Sequence, residues 1–378
     1  MQQETENHFE AGVFAILMLC IVPISVFLIS ILMKWLIVGK FKAGKYPLWG
    51  GYYFKWWFVR SIQRVVPIDL LNGTTLFPLY LRLLGVKVDK SAQIINFKYG
   101  AEDLIEIGAN VTISSNAVLD NATVENGYLI LGNITLADHS YLGSNSVVGS
   151  NCKLEEFAEL RDLSALMPET TILSKNIWEG SPAVFAQVKA ESACIRPTFA
   201  SQSTYLKFHF IFLGILFLFP LILLIPYLPT LISLIYLDDK ADSYDFSYII
   251  YTPLFSVLFI FLFLGLVIAL YRLIQHNITA GEYPIFGKEY LKKWFADQLM
   301  NLSLSIMQPL YANIFISPVF RLLGSKIGDN TEISTASNVS HGLLAIGKES
   351  FIADAVSLGE FDIRNQKMYL EKTIIGNQ

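Results

Sequence analysis

Charge is what this chain has least of. Only 16% of its 378 residues are charged, against 53% hydrophobic ones, and the net charge is −4. A mean hydropathy of +0.47 is too apolar for an ordinary soluble protein, and the length allows two or three domains. The acidic balance argues against a nucleic-acid binder. Cysteine is also scarce. Cys20, Cys152 and Cys194 are scattered, with neither metal-ligand spacing nor an even disulfide set, so they read as free thiols facing a reducing compartment. The five histidines form no cluster. No P-loop, dinucleotide fingerprint or zinc spacing occurs, so no cofactor is expected to be bound by this chain itself.

What is abundant is a period of six. Leu136, Leu142, Val148, Leu154, Leu160, Leu166 and Ile172 recur at strict six-residue intervals. A helix repeats near 3.6 and a strand at 2, so this period fits neither. It fits a parallel β-helix, in which each unit lays one short strand along a triangular prism and its anchor points inward. Gly143 and Gly149 follow two anchors, where the next residue is expected to turn the corner. The period starts earlier, at Val88 and Ile94 and then Ile107, Ile113 and Leu119. Between Asp120 and Leu131 it breaks, in a polar loop containing Asn121, Asn126 and Gly127.

Three uncharged runs flank and follow this region. Ala11 to Met33 is 23 residues, enough at about 1.5 Å per residue for a hydrocarbon core of about 30 Å. Phe210 to Leu237 contains Pro220, Pro226 and Pro229 and predicts a bent or broken helix. Phe246 to Tyr271 is the third. Glu4, Glu6 and Glu10 precede the first run, whereas Lys34, Lys40, Lys42, Lys45, Lys55, Arg60 and Arg64 follow it. The loop 238–245 is acidic, and Arg272, Lys288, Lys292 and Lys293 follow the third run. The positive-inside rule then predicts a multi-pass protein of the cytoplasmic (inner) membrane. Its N-terminus is outside, 40–205 and 276–378 are cytoplasmic, and 238–245 is outside. The aromatic and basic stretch 52–66 suits the lipid headgroup layer.

The chain also repeats itself. Ala43-Gly44-Lys45-Tyr46-Pro47 matches Ala280-Gly281-Glu282-Tyr283-Pro284, at an offset of 237. Arg82-Leu83-Leu84-Gly85 matches Arg321-Leu322-Leu323-Gly324, at an offset of 239. Ile327, Ile333, Ile346, Ile352, Leu358 and Ile375 open a second β-helix that stops early, which suggests a piece of a longer architecture. The expected fold class is an α+β membrane protein: transmembrane helices plus tandem parallel β-helix (hexapeptide-repeat) domains, the second incomplete. The expected boundaries are transmembrane helices at 11–38, 208–237 and 246–272, interfacial and helical segments at 40–87 and 278–326, and β-helices at 88–190 and 327–378.

Gly180-Ser181-Pro182-Ala183, after the last coil, resembles the exit of hexapeptide-repeat acyltransferases. From Arg82-Leu83-Leu84-Gly85 to that exit, the pattern more closely resembles the membrane-bound terminal domains of nonribosomal peptide synthetases of the epsilon-poly-lysine synthetase type. The resemblance implies a left-handed β-helix and a module that transfers a carrier-bound aminoacyl group to an amine, forming an (iso)peptide bond. It also implies partners. Adenylation and carrier domains on another polypeptide would supply a phosphopantetheine thioester, and the acceptor would be an amine such as an amino acid. Membrane lipid is the remaining partner.

Such chemistry needs a base, donors for an oxyanion and positioning. Four residues are candidates. His341, in Asn338-Val339-Ser340-His341-Gly342, is a possible base beside the loop that interrupts the β-helix, or a solvated loop histidine. Asp354 is at an outward coil position and is able to hold an amine. Glu102 and Asp103, at the matching place in the first copy, either attract a lysine-like amine or solvate a turn. His139 stands where a β-helix flank histidine would deprotonate an acceptor in the acyl-CoA-using acyltransferases. That alternative, and a non-catalytic scaffold that docks a carrier through Lys45, Lys55, Arg60 and Arg64, stay open.

Overall fold

The computed structural model describes the backbone of residues 2–195, 200–238, 247–276, 278–311, 316–354 and 356–377. Their side chains are described at 18 and from 21 onward, apart from 237–238, 247–248 and 309–310. The chain divides into two compact units, Met1–Gly214 with Ile363–Gln366, and Ile215–Asp362 with Lys367–Gln378.

In the first unit, helix α1 (Gln2–Ile37) runs through Pro23 without interruption. Helices α2 (Gly51–Gln63) and α3 (Leu76–Leu84) follow. A β-helix then rises in three parallel sheets. One side stacks Lys87–Val88, Ile105–Ile107, Ile134–Leu136, Cys152–Leu154 and Thr171–Ile172. In register, Leu136 lies between Ile107 and Leu154. The anchors read from the sequence fill the axis, and none of them is more than 9% exposed. Each one buried removes apolar surface from water at about 25 cal/mol per Å².

The corner lies elsewhere than expected. In the unbroken run from Leu136 the left-handed residues are His139, Asn145, Asn151, Phe157, Leu163, Glu169 and Lys175, with φ between 53° and 63°. They stand three places after each anchor rather than one. Left-handed backbone is unfavourable for Phe or Leu. A hydrogen bond to the preceding coil holds it: the Phe157 N–H donates to the Asp138 carbonyl and the Leu163 N–H to that of Ser144. Gly143 and Gly149 serve another purpose, because a Cβ at Gly149 would lie 2.7 Å from the Pro168 nitrogen of the next coil.

The polar loop 121–130 is a β-hairpin. Ala122–Glu125 and Tyr128–Leu131 pair antiparallel around Asn126-Gly127, a dipeptide that favours tight hairpins. Tyr128–Leu131 also pairs with Gly44–Pro47, which gives the repeated Gly-x-Tyr-Pro motif its purpose. The repeated Arg-Leu-Leu-Gly motif ties α3 to the first coil, since Arg82 Nε donates to the Val88 carbonyl at 2.9 Å.

The second unit uses the same devices. Helix α4 (Gln202–Asp238) begins in the first unit and continues into it, followed by α5 (Thr252–Gln275), α6 (Lys288–Tyr311) and α7 (Ile316–Leu323). Gly281–Pro284 pairs antiparallel with Lys367–Leu370, and Arg321 Nε donates to the Ile327 carbonyl at 3.1 Å. Lys326–Ile327, Leu344–Ile346 and Thr373–Ile375 form a parallel ladder. One core joins Phe263 and Val267 of α5, Leu299 of α6 and Leu323 of α7 to the anchors Ile346 and Ile352.

One helical expectation changes. α4 is one continuous helix of 37 residues through Pro220, Pro226 and Pro229, not a broken one. Each proline removes one backbone hydrogen bond. In an apolar setting no water competes for the remaining ones, so the helix persists. Among the described residues two helices are long and apolar enough to cross a membrane, Gln202–Tyr236 and Ile249–Gln275. The expected first span is left untested in its N-terminal part, since the side chains at 11–17 and 19–20 lie outside the described residues; the described apolar stretch of α1 is Ile21–Ile37. The acidic loop beyond Asp238, and the side chain of Cys20, lie outside the described residues.

Candidate functional site

The strongest concentration of buried polar groups sits at the foot of each β-helix, where helices meet the first coil. In the second unit a short turn, His341–Leu343, leads into the strand Leu344–Ile346. His341 is 0% exposed, so it is not a solvated loop histidine. Its backbone N–H donates to the Tyr271 hydroxyl of α5 at 3.2 Å, and its Nδ1 lies 2.9 Å from Ser325 Oγ. The ring packs edge-on against Tyr271 and Phe320. Nε2 is buried without a partner among the described residues. It borders a cavity of about 10 Å³, room for one water, shared with Asp297, Asn301 and Asn338. On α6, Lys293 pairs with Asp297 one turn later at 2.5 Å. Burial, then the Lys293 charge, pulls the His341 imidazole down to about 3. It is neutral at pH 7. Burial pushes Asp297 up, against the pull of Lys293.

The corresponding place in the first unit is a denser network. Glu102 is 0% exposed. Gln63 Nε2 donates to its Oε1 at 2.5 Å, and Arg60 Nη1 lies 3.8 Å from the same oxygen. Arg60 also donates to the Tyr99 carbonyl and stands over the Tyr99 ring. Burial raises the Glu102 carboxyl above its ordinary value, with Arg60 opposing. Asp103 takes Lys34 Nζ at 2.9 Å and the Phe41 N–H at 2.8 Å. Ser30 Oγ and the Tyr80 hydroxyl lie 2.9 Å apart, and burial pushes that phenol up to about 12.

These positions correct two readings. Glu102 and Asp103 do not solvate a turn; Glu102 meets Gln63 and Arg60 of α2, and Asp103 meets Lys34 of α1. Arg60 is engaged inside the protein rather than in a headgroup layer or a carrier-docking patch, and Lys34, expected only as a flanking charge, is fully buried. The stretch 52–66 divides accordingly: Phe54, Lys55, Trp57 and Phe58 are exposed, whereas Val59 and Gln63 are buried. Asp354 stands apart from the His341 cavity, exposed on a coil turn.

A third polar place lies on the flank of the first β-helix. His139 stacks flat on Phe157 of the next coil, with ring centres 4.7 Å apart. Beside them is a cavity of about 220 Å³, bordered by Asn110, Ser140, Tyr141, Lys189, Ile195 and Arg364. Asn110 Nδ2 and Ser140 Oγ are buried without partners among the described residues. Behind Lys189 and Arg364 sits Glu159, 4% exposed, receiving Lys189 Nζ at 3.2 Å and Arg364 Nη1 at 3.3 Å.

No protein-family model matches the chain. Delta-poly-L-ornithine synthetase of Acinetobacter baumannii (strain AB307-0294) is 34% identical over 393 residues, covering 99% of this chain and 29% of that protein. The chain is a relative of a poly-amino-acid synthetase. It spans less than a third of the length of that protein. Among solved structures, a maltose O-acetyltransferase from Clostridium difficile 630 is 14% identical, covering 30% of this chain and 75% of its own, with a TM-score of 0.27. A hexapeptide-repeat-containing acetyltransferase from Vibrio cholerae is 15% identical, with 31% and 81% covered and a TM-score of 0.26.

Several polar residues of this synthetase relative escape a reading by sequence. Nothing local marks Glu159, which stands one place before an anchor like many surface residues. Lys34 reads as the first charge after an apolar run. Asp297 had a usable signal, because the internal repeat aligns it with Arg60, an exchange of charge that an exposed helix face would not require.

Proposed function

We propose that the chain is a membrane-embedded terminal module of a nonribosomal peptide synthetase-like system, forming an (iso)peptide bond between a carrier-bound aminoacyl group and an amine. The observation that carries this reading is identity of 34% along 99% of the chain with a protein named for a δ-linked ornithine polymer. Activation and delivery of that group are assigned to adenylation and carrier domains. The carrier supplies the aminoacyl group as a phosphopantetheine thioester. The amine nitrogen attacks the thioester carbonyl, the C–S bond breaks, the thiol stays on the carrier, and the amine gives up one proton.

That proton needs an acceptor. His341 is neutral at pH 7, and in the tautomer whose Nδ1–H donates to Ser325 Oγ its Nε2, without a partner among the described residues, would present a lone pair. In its closed setting the value of about 3 is far below the range of an effective base. Admission of an amine beside Asp297 would hydrate the ring and return it toward its ordinary value. Asp354, exposed on its turn, is assigned the holding of a cationic substrate.

The membrane setting rests on α4 and α5, with α1 as a third span. Lys34, Arg60 and Lys293 are engaged within the protein. Lys40, Lys42, Lys45, Lys55 and Arg64 are exposed after α1, and this surplus supports a cytoplasmic location for the β-helices in the inner membrane.

The test is reconstitution in detergent with a phosphopantetheinylated carrier loaded with radiolabelled ornithine or lysine, free amino acid as acceptor, and product followed by mass. Carrier-dependent dipeptide is the expected result, reduced at least about tenfold in His341→Ala. Acetyl-CoA consumption with the loaded carrier ignored would sink the proposal.

A further inference from the structure

We infer that the cavity between α4, α5 and the end of α6 holds the acyl chain of a membrane lipid. Its place inside a bilayer rests on the membrane setting proposed above.

The cavity has a volume of about 540 Å³, within the range of about 300–1,000 Å³ usual for small-molecule sites. On α4 it is bordered by residues from Tyr227 to Leu234, and on α5 by residues from Thr252 to Ile260. At about 1.5 Å per residue the α5 wall is about 12 Å long, enough to lie along a chain. Ile306 and Met307 of α6 form the third side. Met307 leaves helical backbone, at φ −106° and ψ 21°, two residues before Pro309. That kink keeps the end of α6 from closing against its neighbours.

The chemistry of the wall selects the occupant. Leu231, Leu234, Phe255, Phe259 and Ile260 are apolar, and among the described residues no charged or amide side chain lines the cavity. Of its hydroxyls, Thr230 donates to the Tyr227 carbonyl at 2.7 Å and Ser256 to the Thr252 carbonyl at 2.9 Å. Both are engaged within their own helices. An amino acid or a cationic oligomer would bring ionic groups that this wall does not pair, and would lose their hydration. Water is a poor guest as well, because it needs two to four polar partners. A hydrocarbon chain needs none and gains from burial.

The setting supplies such a chain. α4 and α5 are the two described helices long and apolar enough to cross a membrane. Tyr227 and Ile306 are half-exposed, so the wall is open to its surroundings at α4 and at α6. The second half of α6 suits the same surroundings. From Gln298 to Phe320 the chain has no charged residue, whereas the matching stretch of the first copy contains Arg64 and Asp69. The end of α6 therefore enters the apolar layer beside α5 rather than staying at the interface.

The experiment follows lipid retention. The full chain is placed in nanodiscs containing a phospholipid with a diazirine midway along one acyl chain. It is then moved into mild detergent, washed, irradiated and analysed by mass spectrometry. A single retained phospholipid is expected, cross-linked to Leu231, Phe255 or Met307. Thr230→Leu and Ser256→Leu extend a side chain into the cavity. Each should lower retention by about tenfold, the effect of excluding roughly two methylene groups from burial. Phe210 of α4 and Phe261 of α5, both exposed, are the controls, and irradiation in the nanodisc itself should label both. If both are labelled but no lipid is retained, or the retained lipid maps elsewhere or ignores both variants, the membrane setting stands and the site falls. If neither is labelled while retained lipid maps to the cavity, the site stands and the setting falls. Neither control labelled and no lipid retained would sink both. A peptide polymer, or a helix of a second copy, found at these residues in place of lipid overturns the inference.

Discussion

At the foot of each β-helix the chain buries ionisable groups at aligned positions and fills them in opposite senses. Arg60 aligns with Asp297, and Glu102 aligns with His341. The first unit therefore has a base on the helix and an acid on the coil, and the second has the reverse. Lys34 aligns with Tyr271 and Asp103 with Gly342, so a buried ion pair in the first unit becomes a phenol accepting a backbone N–H in the second. The lesson is that the place demands polarity but not a particular charge. Helix ends and a coil turn meet there, and their backbone groups need partners away from water. Ions and neutral hydrogen bonds both supply them, but at different cost if one member is lost.

Breaking the ionic version should cost most. Asp103→Ala leaves Lys34 charged and buried and the Phe41 N–H without an acceptor, and should destabilise the first unit by about 3–5 kcal/mol. Hydrogen exchange at 99–107, compared with 338–346, would register the loss in the first unit.

Matched glycines sharpen the contrast. Gly85 and Gly324 both end a helix in left-handed backbone, at φ 111° and 116°. A Cβ at Gly324 meets open space, so Gly324→Ala should cost only backbone strain, about 1–2 kcal/mol. A Cβ at Gly85 would strike the Asp103 carboxylate and come within 2.9 Å of Lys34 Nζ, so Gly85→Ala should cost more. Equal shifts in thermal melting would show that the ion pair yields freely.

Tyr271→Phe tests the neutral version. It leaves the His341 N–H unpaired and should cost about 1–2 kcal/mol, less than Asp103→Ala. An equal or larger loss would mean that the phenol does more than accept this bond.

The smallest effect is in pH. The folded first unit keeps a proton on Glu102 that the unfolded chain releases above its ordinary 4.5, so that contribution is present in acid and fades as pH rises. His341 acts in the other sense. Below 6.5 the unfolded chain takes up a proton that the folded unit refuses down to about 3, so stability falls as pH drops through that window. Asp297, raised above 3.8, opposes it within the same unit. His341→Gln should therefore remove the loss on acidification and leave only the opposing trend, measured as melting temperature from pH 4 to 7.

Much of the scaffold was legible because it is periodic. A six-residue repeat can bury its anchors in only one way, and all of those from Val88 to Ile172 are in the axis. The corner was misjudged because glycine marks two different needs. At Gly143 and Gly149 it makes room for the next coil, while the left-handed turns fall on residues as unsuited as Phe157 and Leu163. The hairpin at Asn126-Gly127 was readable from that dipeptide but was obscured by the interruption of the repeat.

The sequence by itself determined the stacked coils, the apolar helices, the internal repeat and the kinship with a poly-amino-acid synthetase, because repetition and hydropathy are linear properties. Only the tertiary structure decided which charges lie inside. Lys34 and Asp103 are 69 positions apart and Glu159 and Lys189 are 30, and the chain between them carries no trace of either pairing. Folding brings such groups out of water together, and burial then sets whether His341, Asp297 and Glu102 hold a proton.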